Sequence, residues 1–311
     1  NPAVKSLSVK IDRWNRDYLA ITFTPNEFIL AAIREIPGRE WIHSQKHWRI
    51  PVGSTALLLT LLDSRKIIYE FTEMGIKYIQ AYRDMRQNLI NIKLRKDSKE
   101  VLIDGMEYPL RPYQADGVDF ITLGRRVLLA DDMGLGKTVE AIASILLWQP
   151  RTTLIVCMNT LKYNWINEIK KHAPRLRALV VEGNKTQRKY LWSYNIPIKI
   201  CNYQLLTADK DIMPMQWDCI IADEATAFKS SATQTSQRIK KLNTHYAVAM
   251  TGTPLENQIM ELHSIFEFVR EGLLGNRWEF RSRHVEFGFA GGINGYKNIP
   301  ELHEKISPFM L

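Results

Sequence analysis

From Leu110 onward the chain alternates short, almost wholly apolar runs with segments of helical period. The runs fall at 127–130, 153–156, 179–181, 198–200, 219–222 and 247–250. A strand that is apolar on both faces must be covered on both faces. Successive parallel strands in turn need a crossover, usually a helix, between them. The pattern therefore predicts an α/β unit, a parallel sheet with helices on both sides. In such a sheet ligands bind beyond the carboxyl ends of the strands.

The first third reads differently. Val9 and Ile11 alternate with polar residues, as do Leu19, Ile21 and Phe23, so two strands are expected within 5–24 with a polar turn at 15–17. Phe28, Ile29, Ala32, Ile33 and Ile36 share one face of a helix over 26–36. Trp41 and Trp48 lie on two short runs joined by a polar segment, which suggests a hairpin. A buried helix is expected over 56–62 and a longer, charged one over 72–96. Residues 99–108 read as a linker. The expected domains are thus a small α+β domain with a helical linker, 1–103, and an α/β domain, 104–311.

Charge separates these two parts. Lys plus Arg is 42 and Asp plus Glu 33, net +9. Residues 1–103 hold 17 basic and 11 acidic side chains, so the first third carries +6 of that excess. A basic surplus favours a polyanionic partner. Cys157, Cys201 and Cys219 are isolated, with no C-x-x-C pair, which argues against a disulfide framework and a structural zinc site. The most apolar stretch, 56–62, is far short of the roughly 20 residues of a membrane span. There is no signal-peptide pattern at the N-terminus. A soluble protein in a reducing compartment is expected. The chain begins at Asn1, so a processed or truncated piece is one reading.

The strongest chemical signal is Asp131-Asp132-Met133-Gly134-Leu135-Gly136-Lys137-Thr138, between an apolar run and a helix. Glycines let consecutive backbone N–H groups curl around phosphate. A lysine reaches the outer phosphates, and a hydroxyl holds magnesium. The general pattern wants glycine where Asp131 stands. Asp223-Glu224 ends the fifth apolar run. One carboxylate there suits a magnesium shell and the next an attacking water, although a helix cap would use the same residues. Thr251-Gly252-Thr253-Pro254 ends the sixth run. It is either a plain turn or a relay between nucleotide state and a polymer site. Gln114, in Leu110-Arg111-Pro112-Tyr113-Gln114, carries an amide that can read both a donor and an acceptor on adenine.

In this order the elements resemble the first, RecA-like motor lobe of superfamily-two helicases, and more narrowly the Swi/Snf-type DNA translocases. That family writes its loop D-E-M-G-L-G-K-T, so Asp131 is expected there and only Asp132 departs. Its L-R-x-Y-Q, N-W-x-x-E and G-T-P-x-x-N patterns match Gln114, Asn164, Trp165, Glu168 and Asn257. The likeness runs from about Leu110 to Leu311. It implies ATP and magnesium as cofactors, with Arg111, Gln114 and the loop residues Met133 to Thr138 around the nucleotide. Lys137, Asp223 and Glu224 are then catalytic, and Thr138 and Asp223 hold metal. Coupling falls to Thr226, Thr251, Gly252 and Thr253, and DNA contacts to Asn159, Lys162 and Lys229. There are two departures. Thr226 stands where the family's D-E-x-H box has histidine, and Met158-Asn159 replaces the usual Pro-Ser.

Ile36-Pro37-Gly38-Arg39 with Trp41, then Trp48-Arg49-Ile50-Pro51, resemble a HARP-like substrate-recognition domain of annealing and fork-remodelling helicases. Arg39, Lys46 and Arg49 are its expected DNA contacts, while both tryptophans also suit a core. The family's motor has a second lobe that supplies arginine fingers, and this chain stops where that lobe should begin. Weak ATP turnover is therefore expected of these residues alone. The expected function is ATP-dependent remodelling of forked or branched DNA. A protein-displacing or chromatin-type remodeller and a non-catalytic DNA-binding module are the alternatives. A composition rich in Ile, Lys and Asn points to a bacterial or viral setting rather than a nucleus.

Overall fold

The computed structural model describes residues 8–14, 17–228, 230, 232–242, 244–252, 259–288 and 292–311. Contacts divide the chain into two compact units. The first comprises residues up to Gln87 together with Arg270–Lys305. The second comprises Asn88–Val269 and Ile306–Leu311.

The first unit opens with β1 (Ser8–Arg13), β2 (Tyr18–Phe23), α1 (Glu27–Arg34), β3 (Glu40–Ile42), β4 (His47–Pro51), α2 (Thr55–Ser64) and β5 (Ile68–Phe71). The helix α3 (Glu73–Lys93) then carries the chain into the second unit. The sheet order is β3-β4-β2-β1-β5, with β5 parallel to β1 and the other pairs antiparallel. Asn26 starts α1 by accepting from the N–H groups of Phe28 and Ile29, at 2.9 and 3.4 Å. Ile29, Ala32 and Ile33 are buried at helical spacing, and Val9, Ile11, Leu19, Ile21 and Ile50 supply the strand side of the core. The expected hairpin forms, with Trp41 opposite Trp48. In α2, Leu58 and Leu62 are buried while Leu57 is exposed, so this helix is amphipathic rather than buried throughout.

The second unit contains α4 (Pro112–Gly124), β6 (Arg126–Leu129), α5 (Lys137–Trp148), β7 (Thr153–Cys157), α6 (Lys162–His172), β8 (Ala178–Val180), α7 (Lys185–Ser193), β9 (Ile198–Asn202), α8 (Leu205–Ala208), β10 (Trp217–Ala222), α9 (Gln234–Lys241), β11 (Thr244–Met250) and α10 (Ile259–Val269). All six apolar runs are strands of one parallel sheet, in the order β6-β11-β10-β7-β9-β8, flanked by helices. The three cysteines are buried free thiols. Burial raises the Cys157 thiol to about 12, which keeps it inert.

The expected boundary near residue 103 is corrected by these contacts. After α10 the chain returns to the first unit through α11 (Arg277–His284), the hairpin β12 (Val285–Phe287) and β13 (Ile293–Tyr296), and α12 (Ile299–Ile306). Ion pairs explain the return. Arg270 meets Asp17 at 2.5 Å, Arg39 meets Glu279 at 2.7 Å and Arg49 meets Glu271 at 3.2 Å. Backbone packing adds to them, since a Cβ on Gly38 would lie 2.6 Å from the Gly272 carbonyl oxygen. The segment 88–103 groups instead with the second unit, where Val101 and Leu110 form an isolated bridge. No helix among the described residues is long and apolar enough to cross a membrane.

Candidate nucleotide site

Three neighbouring strands bring the motifs together. β6 ends at the glycine-rich loop, β11 at Thr251-Gly252 and β10 at Asp223-Glu224. The loop turns through left-handed backbone at Gly134 (φ +85°) and Gly136 (φ +92°), conformations open to glycine at little cost. Gly136 then caps α5, its carbonyl accepting from the Val139 and Glu140 N–H groups. The Lys137 ammonium donates to the carbonyl oxygens of Asp131 and Asp132, at 2.7 and 2.9 Å. Phosphate oxygens can replace such neutral acceptors with charged ones.

Gln114 sits against this loop, 8% exposed. Its Oε1 accepts from the Arg111 N–H at 3.1 Å and its Nε2 donates to the Leu135 carbonyl at 3.3 Å. A Cβ on Gly136 would come within 2.3 Å of that Nε2. Gln114 thus braces the loop through the groups expected to read adenine. The Arg111 side chain is exposed.

Asp223 receives the Trp165 indole N–H at 2.8 Å on Oδ2, and its own carbonyl accepts from the Tyr203 hydroxyl at 2.7 Å. Burial pushes its carboxyl up. The Trp165 hydrogen bond and Lys137 oppose that shift, and Glu224 adds to it. Glu224 stands at φ +52°, an uncommon conformation for a residue with a Cβ, and such strain is often found at working sites. Thr226 follows in a short 3-10 turn. Thr251 is buried, its N–H bonded to the Leu129 carbonyl at 2.9 Å. Gly252 faces the loop closely, since a Cβ there would lie 2.3 Å from Met133 Cγ. Thr253, Asn257 and Lys229 lie outside the described residues.

A carboxylate not singled out from the sequence is buried within electrostatic reach of the loop. Glu140, in the first turn of α5, is 2% exposed and its Oε2 has no hydrogen-bond partner. Burial first, and Asp131 second, raise its carboxyl to about 8 against the pull of Lys137. Gly117 on α4 makes room for it, because a Cβ there would lie 2.6 Å from Glu140 Cδ. The available signal was one acidic residue among the inward-facing Ala141, Ile142 and Ile145 of the same helix.

The donor set fits magnesium: a hydroxyl at Thr138, a partly buried carboxylate at Asp223 and electrostatic coupling of that carboxylate to Lys137. Among the described residues no three His, Cys, Asp or Glu cluster as a metal site by themselves. A metal held here would draw on the phosphates as well, as such sites do.

The expected DNA contacts fare unevenly. Lys162 is buried and its ammonium pairs with Glu182 at 2.6 Å, so it is not presented to solvent. Arg39 is committed to Glu279 and to the Ile36 carbonyl. Arg49 is held by Glu40 and Glu271 and lies over the Tyr18 ring at 4.4 Å. These three are structural ties. Asn159 is exposed, accepting from Asn202 at 3.0 Å, and Lys46 is exposed at the hairpin tip.

A six-stranded parallel sheet with a phosphate loop, a Walker-type Asp-Glu pair and a Thr-Gly turn on adjacent strand ends defines a RecA-like ATP-binding lobe. The SNF2-related domain matches residues 63–311, and the chain belongs to that family. It is 34% identical over 215 residues to the putative ATP-dependent helicase/translocase YwqA of Bacillus subtilis, covering 65% of this chain and 23% of that protein. It is 29% identical over 230 residues to the chromatin-remodeling ATPase INO80 of Saccharomyces cerevisiae, covering 65% and 15%. The Sulfolobus solfataricus SWI2/SNF2 ATPase core in complex with dsDNA superposes with a TM-score of 0.61 at 32% identity, over 68% of this chain and 46% of that one. The matches thus span less than a quarter of either of those two relatives. The expected bacterial or viral setting is corrected here, because fungal chromatin remodellers stand among the relatives beside bacterial helicases.

Proposed function

We propose that the protein is an ATP-dependent DNA translocase whose first unit directs it to forked or branched DNA. The observation that carries this is the pairing of an SNF2-family ATP-binding lobe with a second compact unit that has its own sheet and core. The resemblance of Ile36-Pro37-Gly38-Arg39 with Trp41, and of Trp48-Arg49-Ile50-Pro51, to a HARP-like recognition domain supports the reading.

In this reading the N–H groups around Gly134 and Gly136 and the Lys137 ammonium grip the phosphates. Thr138 and Asp223 hold magnesium, which neutralises charge on the phosphates when bound. Glu224 orients the attacking water. Thr251 and Gly252, packed beside the loop, pass nucleotide state toward bound DNA, to whose backbone Asn159 makes a contact; Lys46, in the first unit, makes a separate one. By themselves these residues turn ATP over slowly, and a second motor lobe supplies the remaining charge stabilisation.

Hydrolysis in the parent protein, measured with four-way-junction and linear DNA of equal length, tests the reading. Junction DNA is expected to stimulate more strongly, and Lys137→Ala to abolish stimulation by both. Equal stimulation by junction and linear duplex would instead favour a protein-displacing remodeller, the reading to which the chromatin-remodelling relatives lend support.

A further inference from the structure

The first unit holds a cavity of about 300 Å³ that the nucleotide site does not use. Its walls include the end of α1 and residues of α11, and its cations are Arg34, Arg39, Arg283 and Lys305. Trp278 is one of its lining residues and is 75% exposed. An indole left this open forgoes burial worth about 1.5–3 kcal/mol for a large apolar side chain, so packing does not account for it.

The cations do not balance out. Of the lining carboxylates, Glu279 is taken by Arg39 and Glu35 by Arg65, while Glu301 serves both Arg283, at 2.8 Å, and Lys305, at 3.0 Å, which leaves one positive charge in excess. Arg34 has only a loose, exposed pairing with Glu27 at 3.7 Å, and such pairs contribute little. Along α11, Arg277 and Arg281 are exposed, Arg281 lying over the Phe287 ring at 4.4 Å. An open aromatic face among surplus cations matches an unpaired nucleotide: the base stacks on the ring and the phosphate meets the arginines. Duplex DNA keeps its bases stacked on one another and offers no such face.

We propose that Trp278 and the cavity beside it bind one unpaired nucleotide of a DNA strand. The proposal deepens the branched-DNA reading, because forks and junctions expose unpaired bases. Being exposed, Trp278 can be changed without disturbing a core. Binding of a labelled oligothymidine and of a linear duplex is measured on the full chain, the Trp278→Ala variant and the Trp278→Phe variant. Trp278→Ala is expected to weaken oligothymidine binding about tenfold and leave duplex binding unchanged. Trp278→Phe should restore most of the loss, since a phenyl ring still stacks. Oligothymidine binding unaffected by Trp278→Ala overturns the site alone. An equal loss for both DNAs also overturns it, by making Trp278 a general contact. A parent chain that binds neither DNA overturns the site and the branched-DNA reading together.

Discussion

The indole N–H of Trp165 donates to Oδ2 of Asp223 across 2.8 Å, from α6 to the end of β10. The contact holds one carboxylate oxygen in place and orients the other. Trp165→Phe keeps the buried ring and removes the donor. A hydrogen bond to a charged group contributes about 1.5–3 kcal/mol. Magnesium-dependent ATP binding should therefore weaken about tenfold or more, while binding in chelator stays near the parent value. Titration calorimetry with and without magnesium reads the difference. Equal weakening in both conditions would mean that the ring only packs.

Gly136 and Gln114 are similarly coupled. Gly136→Ala places a methyl 2.3 Å from Gln114 Nε2 and strains a left-handed position, which costs about 1–2 kcal/mol before the collision is counted. Nucleotide binding should fall at least tenfold. Adding Gln114→Ala removes the colliding atom, so the double variant should lose less than the two single losses combined. Strict additivity would show that the contact does not matter.

Arg126 is a buried cation that works through carbonyls. Its guanidinium donates to the Thr244, Phe268 and Val269 carbonyl oxygens at 2.8, 2.7 and 2.9 Å, tying the start of β11 to the last turn of α10. Arg126→Met leaves those acceptors unpaired, and a loss of about 2–4 kcal/mol is expected in urea unfolding. Arg126→Lys cannot reproduce the planar fork and should fall between the two.

Asp209 contributes stability that depends on pH. Burial alone would raise its carboxyl, but hydrogen bonds from Arg188 and Trp192 outweigh burial and hold it below its ordinary 3.8. A carboxyl depressed in the native state stabilises fully above 3.8, and that contribution is lost as pH falls through the native value. Asp209→Asn should cost about 3 kcal/mol near neutrality, because Arg188 loses its charged partner. The gap between parent and variant should close in acid. A gap that persists unchanged at low pH would refute the assignment.

Much of the fold is legible in the amino-acid sequence. Both-sides-apolar runs announced the parallel sheet, and the spacing of glycine, lysine and threonine announced the loop at the end of β6. What escaped the sequence depends on partners far along the chain. Arg39 and Arg49 look like free surface cations until Glu279 and Glu271 are brought to them. Lys162 looked like a DNA contact until Glu182, beyond the end of α6, folded back onto it. Little in the sequence marks Glu140, because periodicity does not reveal that the facing position is a glycine. The composition-based habitat failed for another reason. Amino-acid bias tracks genome base content, which different kinds of cell share.

The last residues of the chain do a job at its middle. Ala130, immediately before the phosphate loop, donates its N–H to the Leu311 carbonyl at 2.6 Å, and the Leu311 N–H returns to Leu128 at 2.9 Å. The ATP-binding lobe is therefore written in two instalments, with a piece of the other unit spliced between them. No single pair of cuts can excise it. A protease nick within 270–305, far from the nucleotide in sequence, would free the tail that steadies the root of the loop. A fragment ending at Val269 would keep every residue proposed for catalysis and still lose the edge that holds the root of the loop in register.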